Sequence, residues 1–116
     1  MIKKIHHITF FVSNLKETTD FYENILGLKK KGEWPDYVIF DVGGMELAFA
    51  PGGTKGRKEG APDIYMLVDK VDDVYKKLKE KNVKFATEPE DHYWGGRTAS
   101  FFDPNGNLFI LVDFEK

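Results

Sequence analysis

Apolar and polar residues alternate along four segments of the chain, and a period of two residues is typical of β-strands that bury one face. In each segment one set of alternating positions is large and apolar, as with Ile8, Phe10 and Val12, whereas the other set is mixed. The apolar sets predict sheet faces that pack on helices. The four segments are Ile5–Val12, Met45–Ala50, Asp63–Val68 and Asn107–Asp113.

Two other segments carry apolar residues at helical spacing. Leu15–Leu26 follows Asn14, a residue type that caps helices, and Gly27 ends it. Val71–Lys81 is the second amphipathic helix. The remaining predicted strands are Tyr37–Val42, Val83–Ala86 and Arg97–Phe102.

The order of strand, helix and further strands occurs twice along the chain, which indicates an internal duplication. Between the two copies, residues 51–62 (PGGTKGRKEGAP) are polar and rich in glycine, as in a linker. We therefore predict an α+β fold, a single domain over residues 1–116 made of two tandem β-α-β-β-β modules. Module 1 covers approximately residues 1–50 and module 2 approximately residues 63–116, with curled mixed sheets that form a cleft.

The predicted strand face that bears the mixed set of residues contains the ionisable side chains. It holds His7, Glu46 and Asp63 among small and aromatic residues. A packed core excludes unpaired polar groups because their burial costs about 1–3 kcal/mol each, so we expect this face to line a cleft for a small ligand. The alternative is a face that is simply exposed to solvent, against which the large Phe11 and Ile110 argue.

Composition and charge exclude several classes of function. The formal net charge is −2 and no basic block is present, which argues against nucleic acid as a partner. No apolar run approaches the roughly 20 residues of a membrane span, and the first residues are too polar for a signal peptide. Cysteine is absent, which suits a cytoplasmic protein and excludes thiolate chemistry.

Two motifs carry a family resemblance. The first runs from His7 to Gly27 (HITFFVSNLKETTDFYENILG), and the second is Trp94–Asp113 (WGGRTASFFDPNGNLFILVD). Together, within a duplicated frame, they resemble the vicinal-oxygen-chelate superfamily of glyoxalases, bleomycin-resistance proteins and extradiol dioxygenases. The resemblance covers nearly the whole chain and implies a glyoxalase/bleomycin-resistance-like cleft, closed by pairing of modules. For a chain this short it implies a homodimer.

The resemblance also implies metal-ligand positions on the first and last strand of each module. They fall on His7, Glu46, Asp63 and Ile110, and Ile110 cannot bind a metal. Asp63 stands where a histidine is usual, and Ile110 where a glutamate is usual. The three remaining donors suit Zn, Ni, Mn or Fe. The alternative, which we favour, is that no transition metal binds tightly. His6 is expected on the opposite face of the strand from His7, so the two histidines could not share one metal.

The segment Asp91–Arg97 (DHYWGGR) combines aromatic rings with a guanidinium, which suits a planar or anionic ligand. The alternative is a hydrophobic plug with an arginine on the surface.

We predict a small-molecule-binding protein with a degenerate metal site. The alternative is a metal-dependent enzyme, namely a glyoxalase-type lyase or isomerase, a dioxygenase or a thiol transferase, and no catalytic residue is assigned. The predicted ligand-binding residues are Thr9, Phe11, Trp34, Tyr65, Tyr93, Trp94, Arg97 and Ile110.

Overall fold

The computed structural model describes residues 1–115 and contains eight strands and two α-helices in that range. None of the helices in the described part of the chain is long and apolar enough to cross a bilayer. The elements are β1 His7–Val12, α1 Leu15–Asp20, β2 Lys29–Trp34, β3 Tyr37–Val42, β4 Met45–Pro51, β5 Ile64–Leu67, α2 Val71–Glu80, β6 Glu90–Asp91, β7 Arg97–Phe102 and β8 Leu108–Asp113.

The chain divides into two compact units with the same internal topology. Unit 1 is Met1–Lys55, and its sheet has the strand order β1-β4-β3-β2. Unit 2 begins at Gly56, and its sheet has the order β5-β8-β7-β6. In each unit the first strand pairs parallel with the last, whereas the other pairs are antiparallel. The predicted α+β fold of two β-α-β-β-β modules is therefore confirmed, and neither sheet is closed.

The exact limits of the modules and linker stay a prediction. The start of the predicted linker packs against β1, because the amide of Gly53 donates a hydrogen bond to the carbonyl oxygen of Val12 at 3.1 Å. A Cβ atom at Gly53 would lie only 1.9 Å from the carbonyl oxygen of Phe11. Only glycine therefore allows this close approach of two backbones.

Stacked aromatic rings form the core of unit 1. Tyr22, on a π-helical segment Phe21–Ile25 that continues α1, lies 4.4 Å from Phe49 between ring centroids. Phe49 also stacks on Phe10 at 5.7 Å, and Phe40 contacts both Tyr22 and Phe49. The side chains of Tyr22, Phe40 and Phe49 are fully buried. The helix therefore covers the apolar face of the sheet, as the alternation predicts.

Unit 2 repeats this arrangement with a different set of rings. Phe101 stacks on Phe109 with centroids 5.9 Å apart, and Phe85 lies 5.8 Å from Phe101. Tyr75 of α2 reaches Phe85 edge-on at 4.6 Å. Val71 of the same helix is fully buried. Aromatic rings bury a large apolar area per side chain, so they dominate the hydrophobic stabilisation of such a small core.

Two strands differ from the sequence-based prediction. The segment Lys29–Trp34 (KKKGEW) forms β2 although it lacks apolar alternation, because pairing with β3 decides its conformation. The predicted strand Val83–Ala86 is wrong, since only Phe85 forms a single bridge, to Phe101. The outer strand of unit 2 is instead Glu90–Asp91. β2 and β6 are outer strands of their sheets, where a short or polar strand is tolerated.

A carboxylate from β8 supplies the N-terminal cap of α2. The preceding residue, Lys70, makes no side-chain capping hydrogen bond. Instead Oδ2 of Asp113 accepts a hydrogen bond from the backbone amide of Val71 at 2.6 Å, although the two residues lie far apart in sequence. Asp113 is buried, so this bond both satisfies the carboxylate and fixes the helix against the last strand.

We predict that Asp113→Ala lowers the free energy of unfolding by about 1–3 kcal/mol, since it removes a charged acceptor and leaves a buried amide unpaired. The measurement is urea unfolding followed by circular dichroism. Asp69→Ala is the matched control, because Asp69 is an exposed aspartate that also lies just before α2. Equal losses in the two variants would contradict the capping role of Asp113.

Candidate functional site

The open face of the unit 1 sheet, opposite the helix, carries a row of ionisable side chains. His7 of β1 lies directly opposite Glu46 of β4, and Glu46 lies opposite Asp41 of β3. Directly opposed residues share one face of a sheet. The predicted neighbours His7 and Glu46 are therefore side by side, and Asp41 is an acidic residue that the sequence analysis did not single out.

A lysine from β2 reaches across this row. Nζ of Lys31 donates a hydrogen bond to Oε2 of Glu46 at 2.5 Å. The hydrogen bond from Lys31 lowers the pKa of the Glu46 carboxyl, and the same bond raises the pKa of Lys31. Glu46 is therefore a carboxylate that already has a cation in contact with it.

A bulge in β2 accompanies this contact. Lys30 pairs with Phe40 and Gly32 pairs with the adjacent Ile39, so Lys31 is the extra residue between them. A bulge redirects side chains locally and is frequent beside binding sites. The Lys31 side chain is thereby free of the regular alternation of its strand.

His6 and His7 lie closer together than predicted. The strand begins at His7, so strand alternation does not apply to His6. The two Nδ1 atoms are 2.9 Å apart, a hydrogen bond in which one ring supplies the N–H, and the rings meet edge to face at 5.2 Å. The expectation that His6 points away from His7 is therefore wrong.

Aromatic and hydroxyl groups continue the open face of unit 1. The hydroxyls of Thr9 and Tyr37 share a hydrogen bond of 2.9 Å. Trp34 lies next to Tyr37, with ring centroids 6.4 Å apart, and its indole occupies the space where a Cβ of Gly32 would stand. Phe11, on the edge strand β1, is 64% exposed although it is a large apolar side chain. Thr9, Phe11 and Trp34 thus belong to one sheet.

Trp34 also borders a cavity of about 560 Å³ in unit 1. Charged groups surround this cavity, and Lys30 pairs there with Glu23 and Glu33 at 3.4 and 2.7 Å. Because these charges neutralise one another, the cavity offers no concentrated charge to a ligand.

The open face of unit 2 combines apolar and hydroxyl side chains. Ile110 lies between Tyr65 of β5 and Ser100 of β7, and it is buried, whereas Tyr65 is half exposed. Two hydroxyls on β7 are engaged: Nε2 of His92 lies 2.7 Å from Oγ1 of Thr98, and Thr87 and Ser100 share a hydrogen bond of 2.7 Å. Sequence analysis missed this polar row, although Thr98 and Ser100 alternate along a predicted strand.

The loop before β7 folds onto itself. Trp94 stacks on His92 with centroids 5.1 Å apart and contacts Phe114 at 5.9 Å. Its ring lies over Gly96, where a Cβ would be 2.0 Å away. Tyr93, in contrast, is fully exposed. The roles of Tyr93 and Trp94 in ligand binding stay predictions.

Arg97 is occupied by carboxylates of its own unit. Its Nε and Nη2 atoms donate to the two carboxylate oxygens of Asp72, each at 3.0 Å, and Nη1 donates to Asp91 at 3.1 Å. These hydrogen bonds, first that to Asp72, raise the pKa of the Arg97 guanidinium, and the pKa of Asp72 is lowered by Arg97. Arg97 pairs across the sheet with Asp113 and so lies on the helix-covered face. The role of Arg97 in ligand binding stays a prediction.

The comparisons with known proteins agree with this architecture. Residues 4–111 match the family model described as the Glyoxalase/Bleomycin resistance protein/Dioxygenase superfamily. The chain belongs to this superfamily.

Three relatives illustrate the range of this glyoxalase superfamily. The chain is 34% identical to the uncharacterized protein YraH of Bacillus subtilis, over 93% of this chain and 96% of that protein. It is 27% identical to metallothiol transferase FosB of Lysinibacillus sphaericus, over 93% of this chain and 80% of that protein. A crystal structure of a superfamily member from Sphaerobacter thermophilus has 31% identity, covers 96% of this chain and 97% of its own, and has a TM-score of 0.79.

The residues at the four expected ligand positions do not fit a metal ion. Glu46 is bonded to Lys31, Asp63 accepts a hydrogen bond from Arg57 at 2.8 Å, and Ile110 has no donor atom. Among residues 1–115, no group of three His, Asp or Glu side chains is arranged to hold an ion. Since each carboxylate has its own cation, the donor set is satisfied by the protein itself.

We predict that Arg97→Ala raises the pKa of Asp72 towards its ordinary value, because the main cause of the lowered pKa is lost. Carbon NMR of the side-chain carboxyls against pH measures this. A carboxyl with a lowered folded-state pKa adds stability above its ordinary pKa and loses it as the pH falls through the lowered value. Arg57→Ala is the control, since Arg57 pairs with Asp63; an unchanged pKa of Asp72 in Arg97→Ala would contradict the pairing.

Proposed function

We propose that this chain is a small-molecule-binding protein of the glyoxalase/bleomycin-resistance type, which binds a ligand on an open sheet face, carries a degenerate metal site and performs no chemistry. The supporting observation is the exposure of large aromatic side chains there. Phe11 is 64% exposed and Tyr65 is 52% exposed, whereas the rings on the helix-covered faces, such as Phe49 and Phe109, are fully buried. Exposed rings on a folded sheet are a common mark of a binding surface.

Polar groups next to these rings indicate the kind of ligand. The hydroxyls of Thr9 and Tyr37 and the imidazole of His7 lie on the open face of the same sheet as Phe11. Apolar area with a few hydrogen-bonding groups is the usual composition of a small-molecule site. We infer a planar ligand with a polar edge, for which Trp34 supplies a further ring.

We predict that a ligand of this kind raises the melting temperature of the protein and that Phe11→Ala and Tyr65→Ala weaken the effect. The first probes are bleomycin and a set of planar aromatic carboxylates, tested by thermal unfolding. A ligand present at about 100 times its Kd stabilises the folded state by about 2.7 kcal/mol. Ile2→Ala is the control, because Ile2 is exposed and precedes the first strand. An equal shift in all variants would refute this binding surface.

We further propose that the chain is a homodimer. Both β1 and β5 are edge strands, and each carries an exposed apolar residue, Phe11 on β1 and Leu67 on β5. Leu67 is 74% exposed. Exposed apolar edge strands invite pairing with another chain, and a two-fold dimer is the commonest closed arrangement.

We predict that multi-angle light scattering at micromolar concentration gives twice the mass of one chain and that Leu67→Glu shifts the protein to monomer. The reason is that a carboxylate on an apolar edge strand would lose its water at the interface. Tyr93→Glu is the control, since Tyr93 is fully exposed but lies in a loop. A monomeric wild-type protein would refute the proposal.

The second candidate is a metal-dependent enzyme, and the name of the relative FosB, a metallothiol transferase, favours thiol transfer within that class. His7 and Glu46 are the ligand positions that this chain retains in the form usual for the superfamily. Loss of free glutathione in the presence of an epoxide and Mn²⁺, absent in His7→Ala, would support this function in place of simple binding.

A further inference from the structure

The ionisable row of unit 1 contains a lysine ammonium that the proposed binding function does not use. Glu46 lies beside His7 on the open face, and the Lys31 ammonium contacts the Glu46 carboxylate. Two features distinguish this contact from an ordinary surface ion pair. Glu46 has a side chain only 14% exposed, and Lys31 is brought to it by a bulge in β2.

The position of the ammonium matters more than its contribution to stability. A divalent metal held by Glu46 and His7 has to contact the Glu46 carboxylate, where the Lys31 ammonium already lies 2.5 Å from Oε2. A metal ion bound at this carboxylate would lie within a few ångströms of the ammonium, and like charges at that distance repel, which weakens metal binding. The neighbouring carboxylate of Asp41 also faces this cation, and its charge contributes to the raised pKa of Lys31.

We propose that the Lys31 ammonium stands in place of the metal ion on this face, as a cation of the protein itself that pairs with Glu46 and keeps divalent metals from the His7–Glu46 pair. The site then presents a positive charge and N–H donors without any bound ion. A lysine ammonium has three N–H groups, so hydrogen-bonding capacity remains after the bond to Glu46. This assignment rests on unit 1 alone and does not depend on which ligand binds.

The second predicted carboxylate is satisfied in a similar manner. In unit 2, Nη2 of Arg57 donates to Oδ1 of Asp63 at 2.8 Å and also to the carbonyl oxygen of Ala61 at 3.1 Å. Arg57 is thus held by two acceptors of the same segment. Each carboxylate at an expected metal position therefore has a protein cation in contact with it.

The proposal is tested by titrating Zn²⁺ into the wild-type protein, Lys31→Met and Lys16→Met. Isothermal calorimetry gives the affinity, and nitrogen NMR of the imidazole rings reports whether His7 takes part. Lys31→Met should bind Zn²⁺ at least about tenfold more tightly than the wild type, since one adjacent positive charge is removed. Lys16→Met is the matched control, because it removes the same charge from an exposed position on α1, which packs on the other face of the sheet.

The site of binding is checked with the double variant Lys31→Met/His7→Ala, which should lose the gained affinity. Lys31 is largely exposed, so Lys31→Met is expected to fold, and Lys31→Ala with a measured melting temperature provides a second variant. Equal Zn²⁺ affinity in the wild type and Lys31→Met would overturn the proposal, as would an equal gain in Lys16→Met. The Zn²⁺ titration does not use the small-molecule ligand. A negative result would therefore refute the role of Lys31 and leave the proposed ligand binding to be tested by thermal unfolding.

Discussion

Parallel pairing of the first and last strands organises each half of this protein. Hydrogen bonding of β1 to β4 sets His7 opposite Glu46, and pairing of β5 with β8 sets Tyr65 opposite Ile110. A parallel pair requires a long crossover connection, which places the helix on one face and leaves the other face open. The same pairing puts β1 and β5 at the edges of their sheets. Site, core and exposed edges all follow from this one arrangement.

The two faces of each sheet then obey different physical requirements. On the covered face, rings such as Phe49 and Phe101 are buried among other rings, and the polar groups there, notably Asp113, have partners. On the open face of unit 1, His7 and Lys31 are exposed and Glu46 is partly exposed, so a histidine, an acid and a lysine can lie together at little cost. This difference permits an ionisable row in so small a chain.

Charge neutralisation is the second theme of the structure. Glu46, Asp63 and Asp72 are each bonded to a cation of their own unit, namely Lys31, Arg57 and Arg97. Arg97 shows this most clearly, because the guanidinium that suits an anionic ligand in the sequence is bonded to two aspartates of the protein. Exposed pairs of this kind add little stability; their effect is to decide which charges remain available to a ligand or ion.

The sequence by itself determined the duplicated fold and the strand faces, since alternation and helical spacing follow directly from which residues must avoid water. The family was indicated by the resemblance of two motifs, His7–Gly27 and Trp94–Asp113. It also placed His7 and Glu46 on one face. It did not reveal β2, whose residues Lys29–Trp34 lack a pattern and are fixed by pairing with β3. The partners of charged groups depended wholly on tertiary structure: the bulge brings Lys31 to Glu46, and strand β8 brings Asp113 to the start of α2. These contacts join residues that are distant in sequence, so they form only when the strands pair, and local sequence patterns do not indicate them.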